Sequence, residues 1–382
     1  MDLVNPLTAY PIGARAENIN GVSMRGVPEK QGWSFSSHGY CQAKQHGGDA
    51  DAIGAAVRRA LRPLSAPMLD KARAEYARRE VVKFPRYFIV EPTAACNRRC
   101  PFCTILVTNR KGMMDWGRFA QLMKECAQHD VYGISLYMLG EPMLWRDVVG
   151  GQALTIFTLI SDAKRAGFKA INISTNGDVT NLGYLIRSDL SDLIISIDGT
   201  TAAVYDANRP STTPNDTHAF ERTLDRVHTF LAEKARSGEA KPFVRIQIIN
   251  KENTRDQILD FIRTWIDVLG VDDVFVKNLD SMRPWLGAKV VSDDEDAIKA
   301  AALGAMPCQH IYSVGTMTVD GHFAACCHDA KDELQTAHAN IDEMTFADWW
   351  NGDYLNALRA EHNAGTFRHP CKSCRERDTW LG

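Results

Sequence analysis

No stretch of the sequence approaches the roughly 18 consecutive apolar residues of a membrane-spanning helix, so no helical span is expected. The first residues, MDLVNPLTAYPIGARAEN, lack a basic region followed by a continuous apolar core, which argues against a secretory leader and for a cytoplasmic protein. No block of lysine or arginine stands out: 44 basic residues face 47 acidic ones, for a formal net charge of -3. That balance favours neither a nucleic-acid backbone nor an anionic membrane as partner. No internal repeat is found.

The chain does have apolar residues in quantity, 45% of 382, enough to bury a substantial core in two or three folding units. It also has ten cysteines, most of them in close groups. In a reducing cytoplasm such groups read as metal ligands or reactive thiols before they read as disulfides.

Three regions follow from composition and periodicity. Residues 1–80 form an N-terminal extension, Gly/Ser/Asn-rich to about Gly48 and then partly helical in DAIGAAVRRALRPL and APMLDKARAEYARRE. From 81 to 290, the strand-like runs YFIV, GISLYML, KAINIS, LIISID, VRIQII and DVFVK alternate with helix candidates near 115–129, 153–166, 181–188, 216–237 and 254–269. Short apolar strands separated by helices imply parallel pairing with right-handed crossovers, here an α/β open or partial barrel of six units. Reactive residues in such folds gather where strands end. The third region, 291–382, begins with the acidic helical linker DDEDAIKAAALGA, continues with a hairpin in VGTMTVDGHFAACC turning at Asp320-Gly321, and includes a helix pair in FADWWNGDYLNALRAEH.

The first cysteine group lies just after YFIV, in CNRRCPFC, where Cys96, Cys100 and Cys103 are separated by three and two residues. Three thiolates could hold an iron-sulfur cluster or contribute to zinc. A structural zinc is normally closed by four ligands, whereas a four-iron cluster on three cysteines keeps one iron open. With the aromatic Phe102 before the last cysteine, this segment resembles the signature of the radical S-adenosylmethionine (SAM) superfamily. The resemblance implies a partial (β/α)6 barrel, a [4Fe-4S] cluster on the three cysteines, and SAM on the open iron, cleaved reductively to a 5'-deoxyadenosyl radical that takes a hydrogen atom from substrate. An electron donor such as flavodoxin or ferredoxin is implied with it.

Supporting motifs occur in the family's order over roughly residues 85–285. Gly140-Glu141-Pro142 resembles the tripeptide that receives SAM's amino group, although alone it would read as a loop with a solvated glutamate. STNG (Ser174, Asn176) and SIDG (Ser196, Asp198) end strands and suit ribose hydroxyls and the methionyl carboxylate, although Asn-Gly and Asp-Gly are also ordinary turn formers. Arg209 resembles the arginine that pairs with the SAM carboxylate; an exposed surface arginine is the alternative.

The second group comprises Cys308, Cys326, Cys371 and Cys374, in PCQHIY, DGHFAACC and PCKSC. Four cysteines could bind zinc. The region resembles the auxiliary-cluster domain of the SPASM/Twitch subgroup, which implies one auxiliary [4Fe-4S] cluster without a vacant iron, suited to electron transfer. Cys126 lies at helical spacing with Phe119, Leu122 and Met123 and reads as core. Cys41 has no assignment. Cys327 adjoins a ligand and, on a strand, would point to the opposite face, which makes it a candidate hydrogen-atom donor; burial against the cluster is the competing reading. Trp349-Trp350 reads as helix packing.

The subgroup resemblance leaves several functions open. Oxidation or epimerisation at a carbinol carbon of a small polar substrate (a sugar, aminocyclitol or related natural-product precursor) is favoured. Modification of a ribosomal peptide or protein side chain is the alternative, weakened because residues 1–80 show no convincing strand hairpin. A metal-stabilised binding protein without catalysis is the reading from another class. His310, Lys277 and Arg283 are candidates for base or substrate contact, although each residue type is more often structural or at the surface.

Overall fold

The computed structural model describes residues 81–278, 307–308 and 310–374, together with the backbone of Ser34–Ser36. Cys41, Arg283, the two N-terminal helical patterns and the acidic linker lie outside the described residues.

The core of the molecule is one eight-stranded sheet. Its strands are β1 (Ser34–Ser36), β2 (Tyr87–Val90), β3 (Gly133–Ser135), β6 (Ala170–Thr175), β7 (Asp192–Ser196), β8 (Phe243–Asn250), β9 (Asp273–Asn278) and β10 (Val314–Met317). The order is β1-β9-β8-β7-β6-β3-β2-β10, and every pairing is parallel except that of β1 with β9. Helices connect the parallel strands: α1 (Trp116–Cys126), α2 (Ile156–Arg165), α3 (Ala202–Asn208), α4 (Ala219–Ser237) and α5 (Ile258–Arg263). The expected α/β partial barrel is therefore present. GISLYML is a strand only to Ser135, and several elements were not expected, among them strand β1, helix α3 and a hairpin of β4 (Arg146–Val149) with β5 (Gln152–Thr155).

Burial alternates along the strands with period two. In β6, Ile171 and Ile173 are fully buried while Asn172 and Ser174 are half-buried; in β8, Val244, Ile246 and Ile248 alternate with Arg245 and Gln247. Strands covered on both faces are normally apolar throughout. One face of this sheet is polar, so the inner side of the partial barrel is lined for water and polar ligands.

The helices carry their own start signals. Asp115 accepts the Arg118 backbone N–H at the start of α1, and Thr155 with Thr158 forms a capping box on α2. Phe119, Leu122, Met123 and Cys126 form the buried stripe of α1, as their spacing predicts.

The C-terminal region is tied to the barrel by strand β10, which pairs with β2 in register Val314↔Tyr87 to Met317↔Val90. The hairpin turn falls at Asp320-Gly321, where Gly321 takes φ +84. Helices α7 (Phe346–Trp350) and α8 (Asp353–Asn363) follow. The Glu125 carboxylate of α1 accepts the N–H groups of Phe346 (2.9 Å) and Ala347 (2.8 Å), a carboxylate at the positive end of α7. Arg118 grips Asp342 with Nε and Nη2. Phe346 packs among Phe84, Phe88, Phe323, Trp349 and Trp350, which places the tryptophan pair in the core.

Candidate active site

The motif segments converge at the C-terminal edge of the sheet. The loop after β2 carries Cys96, Cys100 and Cys103; the segments after β3, β6 and β7 carry Gly140-Glu141-Pro142, Asn176 and Asp198. Gly140 sits against the cysteine loop with φ +68, and a Cβ there would lie 2.2 Å from the Thr93 oxygen and 2.9 Å from that of Ala95. The Glu141 N–H donates to the Ala95 oxygen at 2.8 Å. Only glycine permits this approach of two backbones.

Two residues of the cysteine loop hold it down from inside. Arg98, 1% exposed, donates to Asp178 Oδ2 (2.8 Å), Thr223 Oγ1 (3.0 Å) and the oxygens of Arg209 (3.0 Å) and Ala219 (3.4 Å), and lies over the Tyr205 ring. Asn97 donates to the Asp178 oxygen (2.9 Å) and accepts from Asn176 Nδ2 (2.7 Å). Burial pushes the Asp178 carboxyl up, but a hydrogen bond from Arg222 and the charges of Arg98, Arg222 and Arg226 outweigh it and hold it low. Sequence reasoning missed all three anchors, because an Asn-Arg pair between cysteines looks like a solvated loop.

The three thiols of this loop border one another. Burial, with the Glu141 charge and then the neighbouring thiols, pushes Cys96 up to about 12. Cys103 is pushed up to about 11, chiefly by burial, and Cys100 is raised for the same reason. Thiols with these affinities for protons become thiolates at neutral pH only beside a strongly cationic centre, so the donor set fits an iron-sulfur cluster.

The residues expected around SAM have definite partners. Glu141 is fully buried, pushed up to about 7 by burial, and its oxygens accept from Thr175 Oγ1 (2.7 Å), Asn176 N (2.7 Å) and Met143 N (3.2 Å). An incoming amino group would share those oxygens. Pro142 opens the short turn Pro142–Leu144. Asp198 receives Arg209 Nε (2.6 Å) and Ile249 N (2.6 Å), so its carboxylate orients Arg209. Arg209 and Lys251 both lie over the Phe102 ring, at 6.0 and 4.9 Å. Ser196 accepts from Gln247 Nε2 (3.4 Å), and Ser174 lies half-buried near the end of β6.

The second group also assembles. Burial and then the charges of Cys326, Cys374 and Cys371 raise the Cys308 thiol, so all four sulfurs share one neighbourhood. No disulfide forms among the described cysteines. Cys326 and Cys327 occupy a turn that Asp329 N closes onto Cys326 O (3.2 Å), not a strand, because the hairpin's bridges end at Phe323. The expectation that strand alternation separates the two is corrected accordingly.

Between the two groups lies the polar interior. Tyr137 is half-buried there and its hydroxyl is raised by desolvation, against the opposing effects of Ser135, Lys277 and Arg245. Lys277 also acts on Cys103. His310 is buried and pushed down to about 3 by burial and the His328 charge, which keeps its ring neutral.

Three thiols at the strand ends of a partial barrel and four in the domain beside it are donor sets that fit iron-sulfur clusters, the first one ligand short of four and the second complete. The domain family described as SPASM, an iron-sulfur cluster-binding domain, matches residues 308–375. No match is found among curated proteins. Among solved structures, SuiB of Streptococcus suis bound to precursor peptide SuiA aligns with TM-score 0.56 at 13% identity, over 90% of this chain and 83% of that one. Native anSMEcpe with bound AdoMet aligns with TM-score 0.51 at 15% identity over 78% and 88%. BtrN in complex with AdoMet and 2-DOIA is 19% identical over 76% and 93%, with TM-score 0.46. The chain thus carries a match to the SPASM domain over residues 308–375, and its fold is similar to those of SuiB and anSMEcpe.

Proposed function

We propose that this protein is a radical SAM enzyme that removes a hydrogen atom from a C–H bond of a small polar substrate, such as a sugar or aminocyclitol, leading to oxidation or epimerisation at a carbinol carbon. The observation that carries this reading is the polar interior. Polar residues of the inner sheet face, Lys277 and Arg245 among them, surround Tyr137, and Lys277 also stands near Cys103.

When bound, the open cluster and SAM supply the 5'-deoxyadenosyl radical. The chain supplies the rest. Cys96, Cys100 and Cys103 would hold the first cluster, and Gly140, Glu141, Pro142, Ser174, Asn176, Ser196, Asp198, Arg209 and Phe102 would line the SAM side. Cys308, Cys326, Cys371 and Cys374 would hold the auxiliary cluster, which would supply an electron-transfer centre. Lys277 and Tyr137 would bind or orient substrate hydroxyls, and the Cys327 thiol is the hydrogen donor on the epimerisation branch. Pushed down to about 3, His310 makes a poor base at neutral pH, and burial keeps the Tyr137 phenol protonated, so that role passes to Lys277.

Anaerobic reconstitution with iron and sulfide, then reduction with SAM and a panel of deuterated sugars and aminocyclitols, tests the proposal. Deuterium should appear in 5'-deoxyadenosine. If only peptides support its formation, the substrate class is wrong; if nothing does, a non-catalytic binding protein is the better reading.

A further inference from the structure

We infer that His310, Cys327 and His328 form a third metal centre, a mononuclear site for a divalent cation of the zinc class, beside the auxiliary cysteines. One ring nitrogen from each histidine and the Cys327 sulfur all lie within 4.8 Å of one another. His310 begins helix α6 (His310–Ser313), two residues after Cys308, while Cys327 and His328 sit in the turn that follows the hairpin. The two rings meet at 82° with centroids 6.2 Å apart. Around a tetrahedral zinc the ligand atoms would stand about 3.3–3.5 Å from one another, given metal bonds near 2.0 Å to nitrogen and 2.3 Å to sulfur. The remaining contraction is small enough for side-chain torsions to supply.

The donor set selects the ion. Two imidazoles and a thiolate match borderline cations such as zinc, cobalt or ferrous iron, and poorly match magnesium or calcium, which take oxygen. The quartet's four thiols are grouped around Cys308, and none of them belongs to this trio, although Cys327 adjoins Cys326. Three protein donors leave one tetrahedral position for an outside ligand, the pattern of catalytic rather than structural zinc. His310 is buried while Cys327 and His328 are half-buried, so that position is not sealed from an outside ligand. The ligand class is a hydroxyl or amine of a polar molecule. One consequence rests on the function proposed above: a thiolate committed to an ion is withdrawn from hydrogen donation, so occupancy favours oxidation over epimerisation.

The test needs no turnover, so failure of the substrate reading leaves it standing. Full-length protein with both clusters reconstituted and oxidised, which makes them silent in electron paramagnetic resonance, is titrated anaerobically with cobalt(II) alone and desalted. About one retained equivalent per chain with a high-spin cobalt signal is expected, at unchanged iron content, and Cys327→Ala or His328→Ala should each weaken cobalt binding at least tenfold without loss of iron. Failure to retain cobalt overturns the assignment, as does retention that neither substitution alters. Iron lost in step with cobalt uptake, or iron lost in Cys327→Ala itself, would overturn it in favour of a role for these residues in the auxiliary cluster.

Discussion

Replacing Asp178 by asparagine should strand a buried charge. Arg98 is 1% exposed and Asp178 Oδ2, 2.8 Å away, is its counter-charge. The other two arginines on Asp178, Arg222 and Arg226, are 34% and 27% exposed and can turn to water at little cost. Arg98 cannot. Removing one partner of a buried ion pair costs about 3–5 kcal/mol. Arg98 keeps its bonds to Thr223 and to the oxygens of Arg209 and Ala219, and asparagine still offers an oxygen, so the lower end applies, about 3 kcal/mol or roughly a hundredfold in the folding equilibrium. Anaerobic denaturant unfolding measures that cost. Iron analysis should show the first cluster lost preferentially, because Arg98 anchors the loop between Cys96 and Cys100. The double variant Arg98→Met/Asp178→Asn removes both charges, so it should be more stable than Asp178→Asn alone. If the single change costs under about 0.5 kcal/mol, or the two changes add without coupling, the buried-charge argument is wrong.

Glu91 is buried and burial pushes its carboxyl up to about 7, against the opposing charge of Arg110. The folded state therefore holds a proton that the unfolded chain releases at the ordinary carboxylate value, so this stabilisation is complete in acid and is lost as pH rises from about 4.5 to 7. The wild-type minus Glu91→Gln difference in unfolding free energy should fall by about 3 kcal/mol across that window; a flat difference refutes the assignment. Gly140→Ala should prevent the Glu141 segment from docking on the cysteine loop and leave the first cluster unloaded, visible as roughly half the iron after reconstitution. Normal iron content in that variant would mean the two backbones can separate. Cys100→Ala and Cys371→Ala should each remove one cluster and spare the other, distinguished by whether SAM still perturbs the spectrum of the reduced protein. Loss of both clusters from either change would show that the centres are not independent.

Much of the site was legible because its chemistry is local. Cys96, Cys100 and Cys103 announce themselves by spacing, and the strand-end positions of Gly140, Asn176 and Asp198 follow from hydrophobic runs whose length and order predict a parallel sheet. Arg98 and Asp178 were not legible, since a charged side chain in a loop has the same sequence appearance whether it is solvated or buried beneath α4. Tyr137 was hidden for another reason. It lies beyond the end of the short strand β3, inside a run expected to be strand throughout, and only the turn toward Gly140 aims it into the interior.

The sequence by itself determined the class: two cysteine groups of three and four, an alternating α/β pattern, and the glycine and aspartate turns at the strand ends. These depend on spacing and periodicity, which are properties of neighbours along the chain. Only the tertiary structure decided that β10 joins the barrel sheet, that Asp198 orients Arg209, that Arg98 lies buried, and that His310, Cys327 and His328 meet. Those facts depend on residues far apart in sequence becoming neighbours and losing contact with water, and that happens only when the elements pack.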